Sequence, residues 1–152
     1  MIFPASKPAV AGGPADISDL DIGDSAVFQV QARICANPTF LRVTKGTQYQ
    51  FFVPPGQRWT DLFIGTDANG YANSPISCIQ DLFRGLKPLP EKNWFALAGA
   101  IDRPRNAPFL IGNDRNPIVM KADGQLILFA NDAAGFYWNN FGSLLVAITR
   151  TK

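Results

Sequence analysis

From Ala26 onward the chain alternates apolar and polar residues with a period of two. The runs are short, and Pro, Gly, Asn or Asp breaks them about every ten residues. Period two puts successive side chains on opposite faces of an extended chain, so each run is a strand with one face to bury. Ala26, Phe28, Val30, Ala32 and Ile34 form one such face against Val27, Gln29, Gln31 and Arg33. TFLRVT at 39–44, QYQFFV at 48–53 and RWTDLFI at 58–64 follow, separated by Lys45-Gly46 and Pro54-Pro55-Gly56, and DANG at 67–70 closes the last of them. Strands resume at 93–101, 108–112, 117–121, 125–130 and 144–149. The last two are apolar on both faces, which places them in the middle of a packed pair of sheets. The pattern is broken at 74–86, where Ser74-Pro75 suits a helix start and Ile79, Leu82, Phe83 and Leu86 fall on one helical face. The expectation is an all-β, jelly-roll-like sandwich of about eight or nine strands with one short helix.

The 152 residues suit one domain, and a hydrophobic fraction of 47% suffices for its core. Residues 1–25 stand apart as an N-terminal arm, with Pro4, Pro8 and Pro14 and the Gly12-Gly13 pair preceding the acidic stretch ADISDLDIGD. Residues 26–152 are the sandwich domain. A docked arm and a loose tail are equally compatible with this composition.

Composition also excludes chemistry. The chain has no histidine, which removes Ser-His-Asp and Cys-His nucleophile pairs, HExxH zinc sites and histidine proton shuttles. Cys35 and Cys78 are too few for a thiolate zinc site. They read as two buried free thiols, with a single bridge between them left open. The net charge is +2 and the basic residues are scattered, which argues against nucleic acid. No run of about 18 apolar residues predicts a membrane span. No apolar h-region follows the N-terminus, so cytoplasmic synthesis is expected, with release to the extracellular space or cell surface by a non-classical route left open. Asp61, Asp67, Asp81, Asp102 and Asp114 offer no spacing that selects a catalytic carboxylate pair, and no enzyme is expected.

What remains is the segment NDAAGFYWNNFGS at 131–143, between the two most apolar strands. Calcium takes roughly six to eight hard oxygens from carboxylates, amides, carbonyls and water. Asp132, Asn139, Asn140 and a loop carbonyl would supply most of such a shell, and Gly135 and Gly142 allow the backbone to converge them. Asn, Asp and Gly are equally ordinary turn formers. A structural or partner-binding β-sandwich module without metal is therefore the alternative.

Gly124, Asn131-Asp132, Gly135, Asn139-Asn140 and Gly142-Ser143 stand in an order and spacing that resemble the C-terminal signature of the PA-I-type galactophilic bacterial lectins. AVFQVQA, KGTQYQFFV, GQRW and ALAGAI extend the likeness weakly over residues 26–149, and the last third carries its specificity. The resemblance implies a calcium-dependent lectin in which two adjacent sugar hydroxyls reach the ion. It implies metal ligation by Asp132, the Phe136 carbonyl, Asn139, Asn140 and a carbonyl near Leu62. The sugar-contact set becomes Asp132, Asn139, Asn140, Ala133 and Trp138, the last as a stacking surface for an apolar sugar face. A galactoside-like ligand and a homo-oligomer are likewise implied. Two departures stand out: YANSPIS at 71–77 lacks the family's His-Pro-x-Gln stretch, and the chain is longer over 78–90.

Overall fold

A computed structural model describes residues 18–152; residues 1–17 of the expected arm lie outside that range. The expected sandwich is present as two antiparallel sheets. β1 (Ser25–Gln31), β3 (Gln48–Phe52), β4 (Trp59–Asp61), β5 (Ile64–Thr66), β8 (Ile118–Val119) and β10 (Asn140–Arg150) form a six-stranded sheet. β2 (Asn37–Val43), β6 (Leu97–Ile101), β7 (Phe109–Leu110) and β9 (Gly124–Ala130) form the other, in the order β2-β9-β6-β7. The strand count exceeds the expectation because 58–64 splits at a turn through Leu62, which adopts φ 55°.

β10 organises the larger sheet. It pairs with β1 from Ser143 to Thr149, with β4 through Asn140–Gly142, and with β3 through Ala147–Arg150. Between β4 and β3 the side-chain amide of Gln57 takes the place of a strand. It accepts from Leu145 N–H at 2.7 Å and donates to Leu145 O at 3.1 Å. The inward faces meet in one core that includes Val30, Tyr49, Phe51, Trp59, Phe95, Leu128 and Val146, all about 1% exposed or less. Burying each of these large apolar side chains contributes about 1.5–3 kcal/mol.

β9 is buried on both faces from Leu126 to Ala130, as expected of a middle strand. β10 is central in its sheet but one-sided, with Leu145 47% exposed, so the expectation of two buried faces fails there. The second face of β9 and β6 is covered by Ala36 and by Leu89 from the segment after the helix. That helix is shorter than its periodicity suggested. It is a single α-turn, α1 (Ser77–Gln80), continued as a 3-10 helix over Asp81–Leu86. Its apolar stripe is not buried: Ile79 and Leu82 are 55% and 79% exposed. Cys35 and Cys78 are free, as expected, but both are exposed, which corrects the expectation of burial. They sit outside the strands, where no core face exists to take them.

Residues 18–25 are docked rather than loose. Ser18 bridges Leu41 in parallel and so covers the edge of β2. Arg150 donates from its guanidinium to Leu20 O at 2.9 Å, and its carbonyl accepts from Gly23 N–H at 2.8 Å.

Candidate functional site

The loop after β9 closes tightly. Tyr137 donates its hydroxyl to Ala130 O at 2.6 Å, and Ala133 O accepts from Phe136 N–H at 3.1 Å. Gly135 makes the reversal at φ 89°, with nothing near enough to obstruct it. A 3-10 turn, Tyr137–Asn139, then feeds β10. Because Asn140 is paired with Asp61 across the β10–β4 ladder, the loop lands beside the β4–β5 turn. Leu62 N–H donates to Asn139 O at 3.1 Å and ties the two together.

Asp132 is buried. One of its oxygens accepts from Ala133 N–H at 2.7 Å, the other from Asn140 Nδ2 at 2.9 Å. Asn140 Nδ2 also donates to Ala32 O at 3.1 Å. Both amide protons are thereby used, and Asn140 Oδ1 is left buried with no donor; Asn139 Oδ1 is in the same condition. An unsatisfied buried acceptor costs about 1–3 kcal/mol. Two orphaned oxygens near a buried carboxylate are acceptors that a cation could satisfy.

A second carboxylate lies beside the first. Asp61 is 6% exposed and lines the same cavity as Leu62, Asp132 and Asn139, a space of about 170 Å³. It accepts a hydrogen bond from the Tyr71 hydroxyl, which accepts from Gln80 Nε2 at 2.6 Å; Gln80 Oε1 accepts from Ser74 Oγ at 2.7 Å. Burial raises the Asp61 pKa against the pull of that bond. Burial first, and the Asp61 charge second, push Asp132 up to about 6. The Lys87 ammonium, buried against the Trp94 ring at 4.4 Å and donating to Lys92 O, opposes that rise only weakly. In metal-free protein a raised folded-state pKa means stability that is complete below the unfolded value near 3.8 and is lost as pH rises through about 6. Thermal melts in chelator should therefore show a falling midpoint across that window. A flat profile would contradict the burial of this carboxylate.

The structure brings Asp132, Asn139, Asn140 and Leu62 together with Phe136, whose carbonyl accepts only a long 3.4 Å contact from Asn139 N–H. Ala133 is buried at the same cavity. Trp138 is 67% exposed and lines a second, larger cavity on the other side of the loop, which Asp132 also borders. Asp61 was missed by sequence reasoning, which stopped at the neighbouring Leu62 carbonyl. The alternation of Trp59 and Asp61 carried the signal, because a carboxylate on the inward face of a strand needs a partner. Gln80 was missed as well: the longer segment over 78–90 supplies the amide that 71–77 lacks, hydrogen-bonded to Tyr71 beside Asp61. Asn131 has a different task. Its side chain accepts from Leu89 N–H at 3.0 Å and donates to Leu89 O and Asn93 O, fastening that segment across the sheet. Asn131→Ala should cost about 2–4 kcal/mol, measurable by denaturant unfolding, through three backbone groups left unpaired.

The oxygen donors fit a hard cation. No group of three or more His, Cys, Asp or Glu side chains occurs among the described residues, so the donor set is two carboxylates with amide and carbonyl oxygens.

The fold has a solved counterpart. A structure described as "EclA N-terminal domain; PllA-like lectin" superposes with a TM-score of 0.58 at 18% identity, covering 82% of this chain and 94% of that one. That likeness shows a shared β-sandwich fold. No family model matches the chain, and the search of curated proteins finds no match.

Proposed function

We propose that this chain is a calcium-dependent carbohydrate-binding protein. The observation that carries the reading is that Asp61, Asp132 and Asn139 line one small cavity, with Asn140 hydrogen-bonded to Asp132 behind it, and that the amide oxygens of Asn139 and Asn140 are buried without a donor. With the carbonyls of Leu62 and Phe136, these groups would hold the ion. They fill most of a calcium shell and leave places for two adjacent hydroxyls. When bound, the ion supplies a Lewis-acid contact to those hydroxyls.

The chain's own residues do the rest. The two carboxylates balance the charge of a divalent cation, where the sequence alone had offered one. The same carboxylate and amide oxygens are placed to accept hydrogen bonds from the sugar. Gln80 lines the cavity and would discriminate between sugars by hydrogen bonding. Nothing in this arrangement assigns a group to bond-breaking, so the activity proposed is binding. A galactoside-like glycan is the proposed ligand. Because small polar ligands offer little apolar area, a homo-oligomer would supply avidity.

Calcium binding to the folded state must raise thermal stability by mass action. At about a hundredfold excess over the dissociation constant the gain is about 2.7 kcal/mol, or roughly 5–10 °C for a domain of this size. Chelator should reverse it. A glycan array probed with and without calcium then identifies the sugar. The reading fails if millimolar calcium leaves the melting temperature unmoved.

A further inference from the structure

The loop that carries the calcium ligands has a second face. Phe136 and Asn139 look into the oxygen-lined cavity, whereas Ala134, Gly135, Tyr137 and Trp138 wall a larger one of about 550 Å³. The 3-10 helix divides in the same way, with Phe83 on the first cavity and Leu86 on the second. Phe83 packs on Phe136 with ring centroids 4.9 Å apart, and Ala134 N–H donates to Leu86 O at 3.1 Å. Loop and helix thus separate the two cavities except at Asp132, which borders both, and a ligand in the larger cavity would occupy different space from one on the other oxygens.

The walls of the larger cavity are almost wholly apolar, built from Leu86, Pro88, Pro104, Tyr137 and Trp138. Its volume lies within the ~300–1,000 Å³ typical of small-molecule sites. Trp138 leaves most of its ring in water, where a flat ligand would cover it. Charged groups are the exception to this apolar character: the buried Asp132 borders the cavity on one side, and two cations line it on another. Arg103 and Arg105 stand on the lip, and neither meets a carboxylate; among the described residues the one ion pair is Arg84–Asp81. Arg105 donates to Gly85 O at 3.1 Å, which holds its guanidinium beside the cavity. The nearby Asp102 carboxylate accepts from Gln125 N–H, and the buried Asp132 is committed to Ala133 and Asn140.

We propose that this cavity is a second binding site, independent of calcium, for a compact ligand with a flat apolar body and a single anionic group. The body stacks on Trp138 and fills the Leu86–Pro88–Pro104 wall, and the carboxylate or sulfonate pairs with Arg103 and Arg105. A guanidinium pair offers planar, bidentate donors suited to such an anion.

Calorimetric titration of the full chain with 2-naphthoate, with 2-naphthylmethanol and with 1-anilinonaphthalene-8-sulfonate, each in chelator and in calcium, tests it. Both anions should bind one to one under either condition, and the neutral alcohol at least tenfold more weakly. The double variant Arg103→Ala/Arg105→Ala alters exposed side chains and should fold normally by circular dichroism. It should lower naphthoate affinity about tenfold, to the level of the alcohol, and leave the alcohol unchanged. Trp138→Ala should weaken all three. The proposal is overturned if neither anion binds at millimolar concentration, if alcohol and naphthoate bind equally, or if the arginine variant leaves naphthoate affinity intact. None of these results depends on whether the oxygen site takes calcium, so the two readings fail separately.

Discussion

Asp132→Ala should abolish calcium-dependent stabilisation and sugar binding together. The substitution removes one of two carboxylates from a buried donor set. It also removes the acceptor that holds Asn140 Nδ2 and Ala133 N–H in place, so the orphaned Asn140 oxygen loses its orientation. Losing a buried charged ligand and the order it imposes is worth on the order of 3–5 kcal/mol, a hundredfold or more in calcium affinity. Isothermal titration with calcium, on protein shown to be folded in chelator, makes the measurement. Asp61→Asn is the informative companion. It keeps an oxygen for the Tyr71 hydroxyl while deleting the charge, so calcium affinity should fall by tenfold or more. Metal-free protein at neutral pH should nevertheless be no less stable, because a like-charge neighbour of Asp132 has gone. Sugar affinity that survives in Asp132→Ala would refute a metal-bridged ligand.

Gly70→Ala should be the most damaging small substitution in the described chain. Gly70 ends the Asp67–Gly70 turn at φ 67°, and a Cβ there would lie 2.1 Å from Trp94 O and 2.5 Å from Ala96 N. Both obstacles are backbone. Trp94 O is held by Tyr71 N–H at 2.9 Å, and Leu97 N–H is bonded to Ala68 O at 2.8 Å, so the strands on either side cannot separate without losing their own pairing. The expected loss is about 4 kcal/mol or more, a large part of a domain's stability, and a melting point lower by roughly 10 °C. Gly56→Ala is the control. Its φ of 85° carries the same left-handed strain, but nothing stands within 4 Å of the added methyl, and the cost should be about 1 kcal/mol. Equal losses at the two positions would mean that conformation, not the backbone clash, dominates at Gly70.

The sandwich was legible because strand period and turn residues agree along most of the chain. Where the reading went astray, tertiary context had overridden local pattern. Ile79, Leu82 and Leu86 are spaced as a helical face, but no sheet covers the segment and all three stay exposed. Leu145 looks like a core residue, yet it points out of a sheet whose second face has no covering layer at that point. At the site, the Asn-Asp and Asn-Asn pairs located the loop because their ligands are consecutive or nearly so in sequence. Asp61 comes from a strand more than seventy residues earlier, and only the β4–β10 register brings it opposite Asn140. Long-range pairing of that kind leaves no local trace. Trp138 was read as a stacking surface for a sugar; the 3-10 turn places it on the larger cavity and its neighbour Asn139 on the smaller one.

β10 begins at the oxygen cluster and finishes where Arg150 clasps Leu20 and Gly23. Nine residues of extended chain separate Asn140 from Thr149, a span of about 30 Å. Both Gly23 and Lys152 therefore lie at the pole remote from the oxygen-lined loop. A fluorophore, bead or carrier protein coupled through Lys152 leaves that loop facing outward. Immobilised copies would present their openings to a glycan-coated surface without any reorientation of the domain.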